Sequence, residues 1–201
     1  MTRRFVLVDR DGTLNVQETG QYVLSPSDME LLPGAAEGLR VLQDAGLGLI
    51  VVSNQAPVAR GWIDEAELDR INARLLDLLD AEGVRIDGIY CCPHDAPDAC
   101  DCRKPATGLL TRAAADQGFA LTDAFVIGDK GSDIEAGRRV GATTILVLTG
   151  EGRDTVVETS GAEISGGQSP DEEPGGADQI AADLPAAAAA IIASLTRGEA
   201  E

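Results

Sequence analysis

Apolar and polar positions alternate along this chain in blocks. Residues 4–8 form a short apolar run that ends in a polar turn at Asp9, the signature of a buried strand. Over residues 35–45 the apolar side chains fall at helical spacing (Ala35, Leu39, Leu42) and the pattern stops at Gly46. Residues 47–52 repeat the strand pattern. The longest helical stretch spans 63–82, with Asp64 at its start and a Leu68, Ile71, Leu75, Leu78, Leu79 stripe. A third strand is predicted over 86–90, a helix over 107–117, a fourth strand over 124–127, a helix over 132–140 and a fifth strand over 143–148. Residues 177–195 read as a helical end broken at Pro185. Strand and helix alternate, and the strands lack a polar face. This predicts an α/β fold with a parallel sheet covered on both sides. Ligands of such sheets sit outside the carboxyl ends of the strands, so chemistry is sought directly after each strand.

Composition narrows the picture. The chain has 201 residues, 44% of them hydrophobic but only 3% aromatic, so Leu, Val, Ile and Ala must build the core. No apolar run reaches the roughly 18 residues of a membrane span. Only four apolar residues separate Arg4 from Asp9, which is no secretion signal, and a cytoplasmic location is expected. The net charge of -18 makes nucleic acid and anionic membranes poor partners. Residues 151–201 carry eleven acidic and two basic side chains, and 161–176 are low in complexity. A single domain over 1–151 and 177–195 is expected. Residues 152–176 read as a disordered, acidic Gly/Ser/Pro-rich insertion, and 196–201 as a tail. Nothing suggests an obligate interface, so a monomer is expected. Fourteen of the 16 basic residues are Arg; the lysines are Lys104 and Lys130, and the one histidine is His94.

Four motifs follow predicted strands or lead to them. Asp9-Arg10-Asp11-Gly12-Thr13-Leu14-Asn15 follows the first strand. Two close carboxylates repel, and a hard divalent cation such as Mg2+ relieves that repulsion; one can then attack phosphorus while the other moves a proton. Ser53-Asn54-Gln55 follows the second strand and offers neutral donors to a phosphate oxygen. Arg103-Lys104-Pro105 supplies a compact ammonium. Gly128-Asp129-Lys130-Gly131-Ser132-Asp133 follows the fourth strand; Asp129 would complete the acidic metal site with Asp9 and Asp11, and Asp133 would orient ligands or Lys130. A fifth group, Cys92-Pro93-His94 and Cys100-Asp101-Cys102, sets four soft or borderline ligands within eleven residues. That suits a closed, structural Zn2+ site; disulfides would leave His94 without a role. Cys91 is a spare thiol expected to pack at the strand end.

Over residues 4–150 this motif set resembles the haloacid dehalogenase superfamily of phosphohydrolases. The resemblance implies a Rossmann-like doubly wound sheet and an aspartyl-phosphate mechanism. Asp9 would be the nucleophile and Asp11 the general acid and base. Ser53 and Lys104 would neutralise the phosphoryl group, and Asp129 would bind Mg2+. The zinc loop, 91–105, which closes with Cys102-Arg103-Lys104-Pro105, resembles a narrower group, the phosphatases of heptose 1,7-bisphosphate and of histidinol phosphate. Asn15, Tyr22-Val23, Ser53-Asn54-Gln55 with Val58-Ala59-Arg60-Gly61, Gly128-Asp129-Lys130 and Asp183-Leu184-Pro185 favour the heptose enzymes. The five-residue gap inside the zinc loop is equally like the histidinol enzymes, and Ala56-Pro57 departs from the usual pair. A sugar phosphate acted on at its 7-phosphate is the expected substrate; histidinol phosphate is the alternative. A catalytically silent binding protein is the remaining reading. Little chain is left for a cap domain, so an essentially capless, open site is expected. Tyr22, Arg60, Arg103 and Lys130 would then select the substrate from short loops, with Asn15, Asn54 and Gln55 beside them.

Overall fold

The computed structural model describes residues 3–17, 20–162 and 176–198. Six strands form one parallel sheet: β1 (Phe5–Val8), β2 (Gly48–Asn54), β3 (Gly88–Cys92), β4 (Phe125–Gly128), β5 (Thr143–Val147) and β6 (Gln179–Ala181). Their spatial order is β3-β2-β1-β4-β5-β6. Chain order reverses between β1 and β4, and the crevice at such a switch point is where doubly wound sheets bind ligands. Val8 stands opposite Val51 of β2 and Ile127 of β4, so β1 and β4 end within one residue of each other while β2 runs three residues further, to Asn54.

Side chains alternate across the sheet. Val6, Val8, Leu49, Val51 and Ile127 face α1 (Ala35–Asp44), α3 (Glu65–Ala81) and α7 (Leu184–Gly198). Phe5, Leu7, Ile50, Val52 and Val126 face α4 (Gly108–Gln117) and α5 (Gly131–Arg139). The α3 stripe behaves as its spacing predicts: Leu68, Ile71, Leu75 and Leu79 are buried, and Asp64 caps the helix by accepting the Glu67 N–H. Truncating Leu75 to Ala would cost about 2–5 kcal/mol.

The chain departs from expectation at three places. The end of the chain is not one broken helix: β6 comes first, and α7 starts at Leu184. Pro185 sits in the first turn of α7, where its missing N–H costs nothing, and Asp183 accepts the Ala186 N–H at 2.9 Å. β6 is held by a side chain, since Asp178 Oδ2 accepts from Thr144 N (2.7 Å) and Thr144 Oγ1 (2.8 Å). Second, residues placed at the start of the insertion form α6 (Gly152–Ala162); 163–175 lie outside the described residues. Third, α2 (Ala56–Ala59) is a single turn after β2. No second domain intervenes between strands among the described residues, and no described helix is long and apolar enough to cross a membrane.

Candidate active site

The ends of β1 and β4 carry the acidic groups. Asp9 follows β1, and its N–H donates to Ile127 O at 2.8 Å. Asp129 follows β4. Asp133 lies in the first turn of α5, where its Oδ2 accepts the Lys130 N–H at 3.1 Å. One oxygen each of Asp9, Asp129 and Asp133 lies within 4.8 Å of the others, and all three residues are buried. Lys104 Nζ enters this group, 2.7 Å from Asp9 Oδ1 and 2.6 Å from Asp133 Oδ1, and donates to Val52 O at 2.7 Å.

Electrostatics follow from that crowding. Burial pushes Asp9 up to about 6; Lys104 opposes the rise without cancelling it. Burial, with the charges of Asp9 and Asp133, pushes Asp129 up to about 8. Burial lowers the Lys104 ammonium, but Asp133 and Asp9 outweigh it and hold the group above its ordinary range. Three carboxylates meet one ammonium, leaving negative charge that a divalent cation would offset. The donor set is all oxygen, which fits a hard cation such as Mg2+.

Two glycines make room for Asp129. A Cβ on Gly12 (φ +86°) would stand 2.3 Å from Asp129 Oδ2, and one on Gly150 (φ +52°) 2.2 Å from the same oxygen. The Glu151 N–H donates to that oxygen at 2.8 Å. Gly150 and Glu151 lie after β5 and matched no motif; only the fold brings them to Asp129.

Asp11 was expected among the metal ligands, but its carboxylate stands apart from the acidic group. Arg10 Nε donates to Oδ1 (3.1 Å) and Arg10 Nη2 to Oδ2 (2.9 Å). Asn15 Nδ2 donates to Oδ1 (3.1 Å) and Gln55 Nε2 to Oδ2 (2.7 Å). Burial raises this carboxyl, but Arg10 and the amide donors outweigh it and hold it below the usual carboxylate range. Asp133, expected only as an orienting group, takes the third place in the acidic cluster.

A cavity of about 290 Å3 opens over these groups. Among the expected residues, Asp9, Asp11, Ser53, Lys104, Asn54, Tyr22, Arg103, Lys130 and Asp133 line it, joined by Gln17, Ser132 and Glu151. Lys130 Nζ lies 3.3 Å from Gln17 Oε1 and 3.4 Å from Glu151 Oε1. Three residues expected at the substrate work from behind the wall. Asn15 and Gln55 hold Asp11, and Gln55 also donates to Ser53 Oγ at 2.8 Å. Arg60 pairs with Asp95 (2.6 Å) and donates to Tyr22 OH (3.0 Å), its guanidinium 5.1 Å from the Trp62 ring centre. Asn54 reaches the cavity, yet its amide clamps the main chain of Lys104: Nδ2 donates to Lys104 O and Oδ1 accepts Lys104 N–H, both at 3.0 Å.

The zinc-loop residues converge. Ligand atoms of Cys92, His94, Cys100 and Cys102 lie within 4.8 Å of one another. Sulfur–sulfur separations are 3.1 Å (Cys92–Cys102), 3.4 Å (Cys100–Cys102) and 3.6 Å (Cys92–Cys100), and His94 Nδ1 is 3.3 Å from Cys102 Sγ. A disulfide needs about 2.05 Å; a tetrahedron with Zn–S of about 2.3 Å has edges of about 3.8 Å. None of Cys92, Cys100 and Cys102 forms a disulfide, and these three with His94 fit Zn2+. Arg103 Nη1 donates to His94 O at 3.1 Å, tying the loop to the residue before Lys104.

The HAD-hydrolase-like family model matches residues 101–171. A Pseudomonas aeruginosa D-glycero-beta-D-manno-heptose-1,7-bisphosphate 7-phosphatase is 35% identical over 156 residues, 78% of this chain and 87% of that one. The chain belongs to the heptose-1,7-bisphosphate 7-phosphatase family of HAD-like hydrolases. Another family member, from Thermosynechococcus vestitus, is 39% identical over 171 residues, covering 80% of this chain and 86% of its own. The structure of the D,D-heptose 1,7-bisphosphate phosphatase of Bordetella bronchiseptica, complexed with magnesium and phosphate, superposes with a TM-score of 0.82 at 30% identity, covering 95% of this chain and 99% of that one. Membership of this phosphatase family makes the chain a phosphoric monoester hydrolase.

Proposed function

We propose that this chain removes the 7-phosphate of D-glycero-D-manno-heptose 1,7-bisphosphate through an aspartyl-phosphate on Asp9. The observation that carries the reading is the meeting of Asp9, Asp133 and Lys104 in the lining of one cavity, with Asp129 buried beside them, in a chain whose relatives bear that activity in their names. Asp9 Oδ attacks phosphorus, an Asp9 O–P bond forms and the sugar O–P bond breaks. Asp11, protonated as substrate binds, delivers a proton to the departing sugar oxygen, and the Arg10 fork with the Asn15 and Gln55 amides holds the carboxylate left behind. It then takes a proton from water, whose oxygen attacks the same phosphorus; the Asp9 O–P bond breaks and inorganic phosphate leaves. Lys104 and Ser53 offset charge on the phosphoryl oxygens as it spreads. The lysine's contact with Asp9 also keeps that carboxylate aimed.

Asp9, Asp129 and Asp133 would hold Mg2+, which when bound supplies charge neutralisation at the phosphoryl group. Cys92, His94, Cys100 and Cys102 would hold Zn2+ in a structural role, since four protein ligands leave no open position. Tyr22, Arg103 and Lys130 line the cavity beyond the phosphate end and would meet the sugar and its second phosphate.

The test is phosphate release by the purified, Mg2+-supplied protein on heptose 1,7-bisphosphate and on L-histidinol phosphate, with Asp9→Asn as blank. A heptose preference of at least a hundredfold in kcat/KM, about 2.7 kcal/mol, is expected. A histidinol preference would reject the substrate, and full activity in Asp9→Asn would reject the nucleophile.

A further inference from the structure

Arg10 sits between the two aspartates of the first motif, yet it faces neither the cavity nor the acidic cluster. Its side chain is fully buried. An interior guanidinium needs partners for its charge and its donors. Two of those donors go to both oxygens of Asp11. A third, Nη1, goes to Asn72 Oδ1 at 3.0 Å. Asn72 is half-buried on α3, one position beyond Ile71 of the core stripe, and its Nδ2 lies 3.6 Å from Cys91 Sγ on β3. The amide is therefore fixed at both ends, by the edge strand and by Arg10.

Asn72 and Cys91 also line a groove of about 610 Å3 between α3 and the β3 edge. With the Asn72 amide gone, Nη1 would turn to water in that groove. The fork that fits Arg10 to the Asp11 carboxylate is planar and rigid, so a displaced Nη1 moves the whole fork.

We propose that Asn72 and Arg10 are positioning residues that fix the Asp11 carboxylate for proton transfer. The inference rests on the proposed role of Asp11 as proton donor. Helix α3 thereby contributes to catalysis without reaching the cavity. The relay ends where the sheet edge meets solvent.

Leaving-group dependence tests it. A sugar alkoxide needs a proton as it departs, whereas p-nitrophenolate leaves as a stable anion. Because kcat/KM reports steps through the first phosphoryl transfer, it should be measured on heptose 1,7-bisphosphate and p-nitrophenyl phosphate. The proteins are the parent, Asn72→Ala, Asn72→Asp and Asp11→Asn, all with Mg2+ and zinc loaded. Ala is the best helix former, so the first variant keeps α3. We expect Asn72→Ala to lose roughly tenfold to a hundredfold on the sugar phosphate and less than twofold on p-nitrophenyl phosphate. Asn72→Asp keeps an acceptor oxygen for Nη1 and should recover most of the loss. Equal losses on both substrates, no loss on the sugar phosphate, or no recovery in Asn72→Asp would overturn the inference. Asp11→Asn separates the two readings. If it shows the leaving-group-dependent loss and Asn72→Ala does not, only the relay is wrong. If Asp11→Asn shows none, the proton-donor role fails and the relay falls with it.

Discussion

Replacing Gly150 with Ala tests how the site holds Asp129. The backbone there has φ +52°, and an L side chain in that region costs about 1–2 kcal/mol. The new Cβ would lie 2.2 Å from Asp129 Oδ2 and 2.7 Å from Gly12 Cα. The Gly12 backbone is itself held, its N–H donating to Asn15 O at 3.0 Å, so the carboxylate must give way. In the Mg2+-supplied protein, where Asp129 is charged, rotating it forfeits the 2.8 Å bond from the Glu151 N–H, worth about 1.5–3 kcal/mol for a charged acceptor. The two effects together come to about 2.5–5 kcal/mol, or roughly 5–20 °C in Tm for a chain of this size. Activity should suffer beyond that, because a shift of about 1 Å in a site group costs on the order of a hundredfold. Phosphate release gives kcat/KM, thermal melting gives Tm, and calorimetric titration gives Mg2+ affinity. Gly118→Ala is the control, with φ +71° and open space around the new Cβ; it should show the strain alone, with activity intact. A Gly150→Ala protein that keeps kcat/KM within threefold of the parent would refute the steric argument.

Other outcomes follow from the same contacts. Cys102→Ser should lower zinc content measured by elemental analysis, lower Tm and reduce kcat, because the loop that leads to Lys104 loses its anchor. Arg60→Ala should raise KM for the bisphosphate several-fold with kcat nearly kept, since Arg60 holds Tyr22 in the cavity wall and touches no reacting group. The chain has one tryptophan, Trp62, under the same guanidinium, so Arg60→Ala should also shift its emission. In Mg2+-free buffer, Tm should fall as pH rises from 5 to 7. The folded pKa values of Asp9 (about 6) and Asp129 (about 8) exceed the unfolded value of 3.8, so the native state binds more protons there and loses stability as they leave. Added Mg2+ should flatten the slope; an unchanged slope would argue that no cation occupies the acidic cluster.

Much of this architecture was legible because periodicity reports burial. The α3 stripe and the two-sided apolar strands have that property, and the strand ends then pointed to Asp9, Ser53 and Asp129. What escaped depends on contacts distant in sequence. β6 is three residues long and is pinned by Asp178 to Thr144, so no window of local pattern contains its partner. Gly150 is one glycine among 23 until the fold sets it against Asp129. Residue types also do not report where an amide points. Asn15, Asn54 and Gln55 have the donors that bind phosphate, but here they hold Asp11 and the Lys104 main chain.

These placements divide the site into parts with different supports. The acidic cluster stands on the ends of β1 and β4 and the first turn of α5, elements fixed by the sheet. Lys104 stands on a loop, and two independent devices fix it: the Asn54 clamp on its main chain and the zinc loop behind Arg103. The cavity wall at Tyr22 has a third support, Arg60, which reaches the zinc loop through Asp95. The loop next to the Cys/His cluster thus braces both Lys104, proposed to meet the phosphate, and the Tyr22 wall, proposed to meet the sugar. An open site with short loops needs such bracing, because ordering flexible segments at the moment of binding would consume binding free energy otherwise available to the transition state.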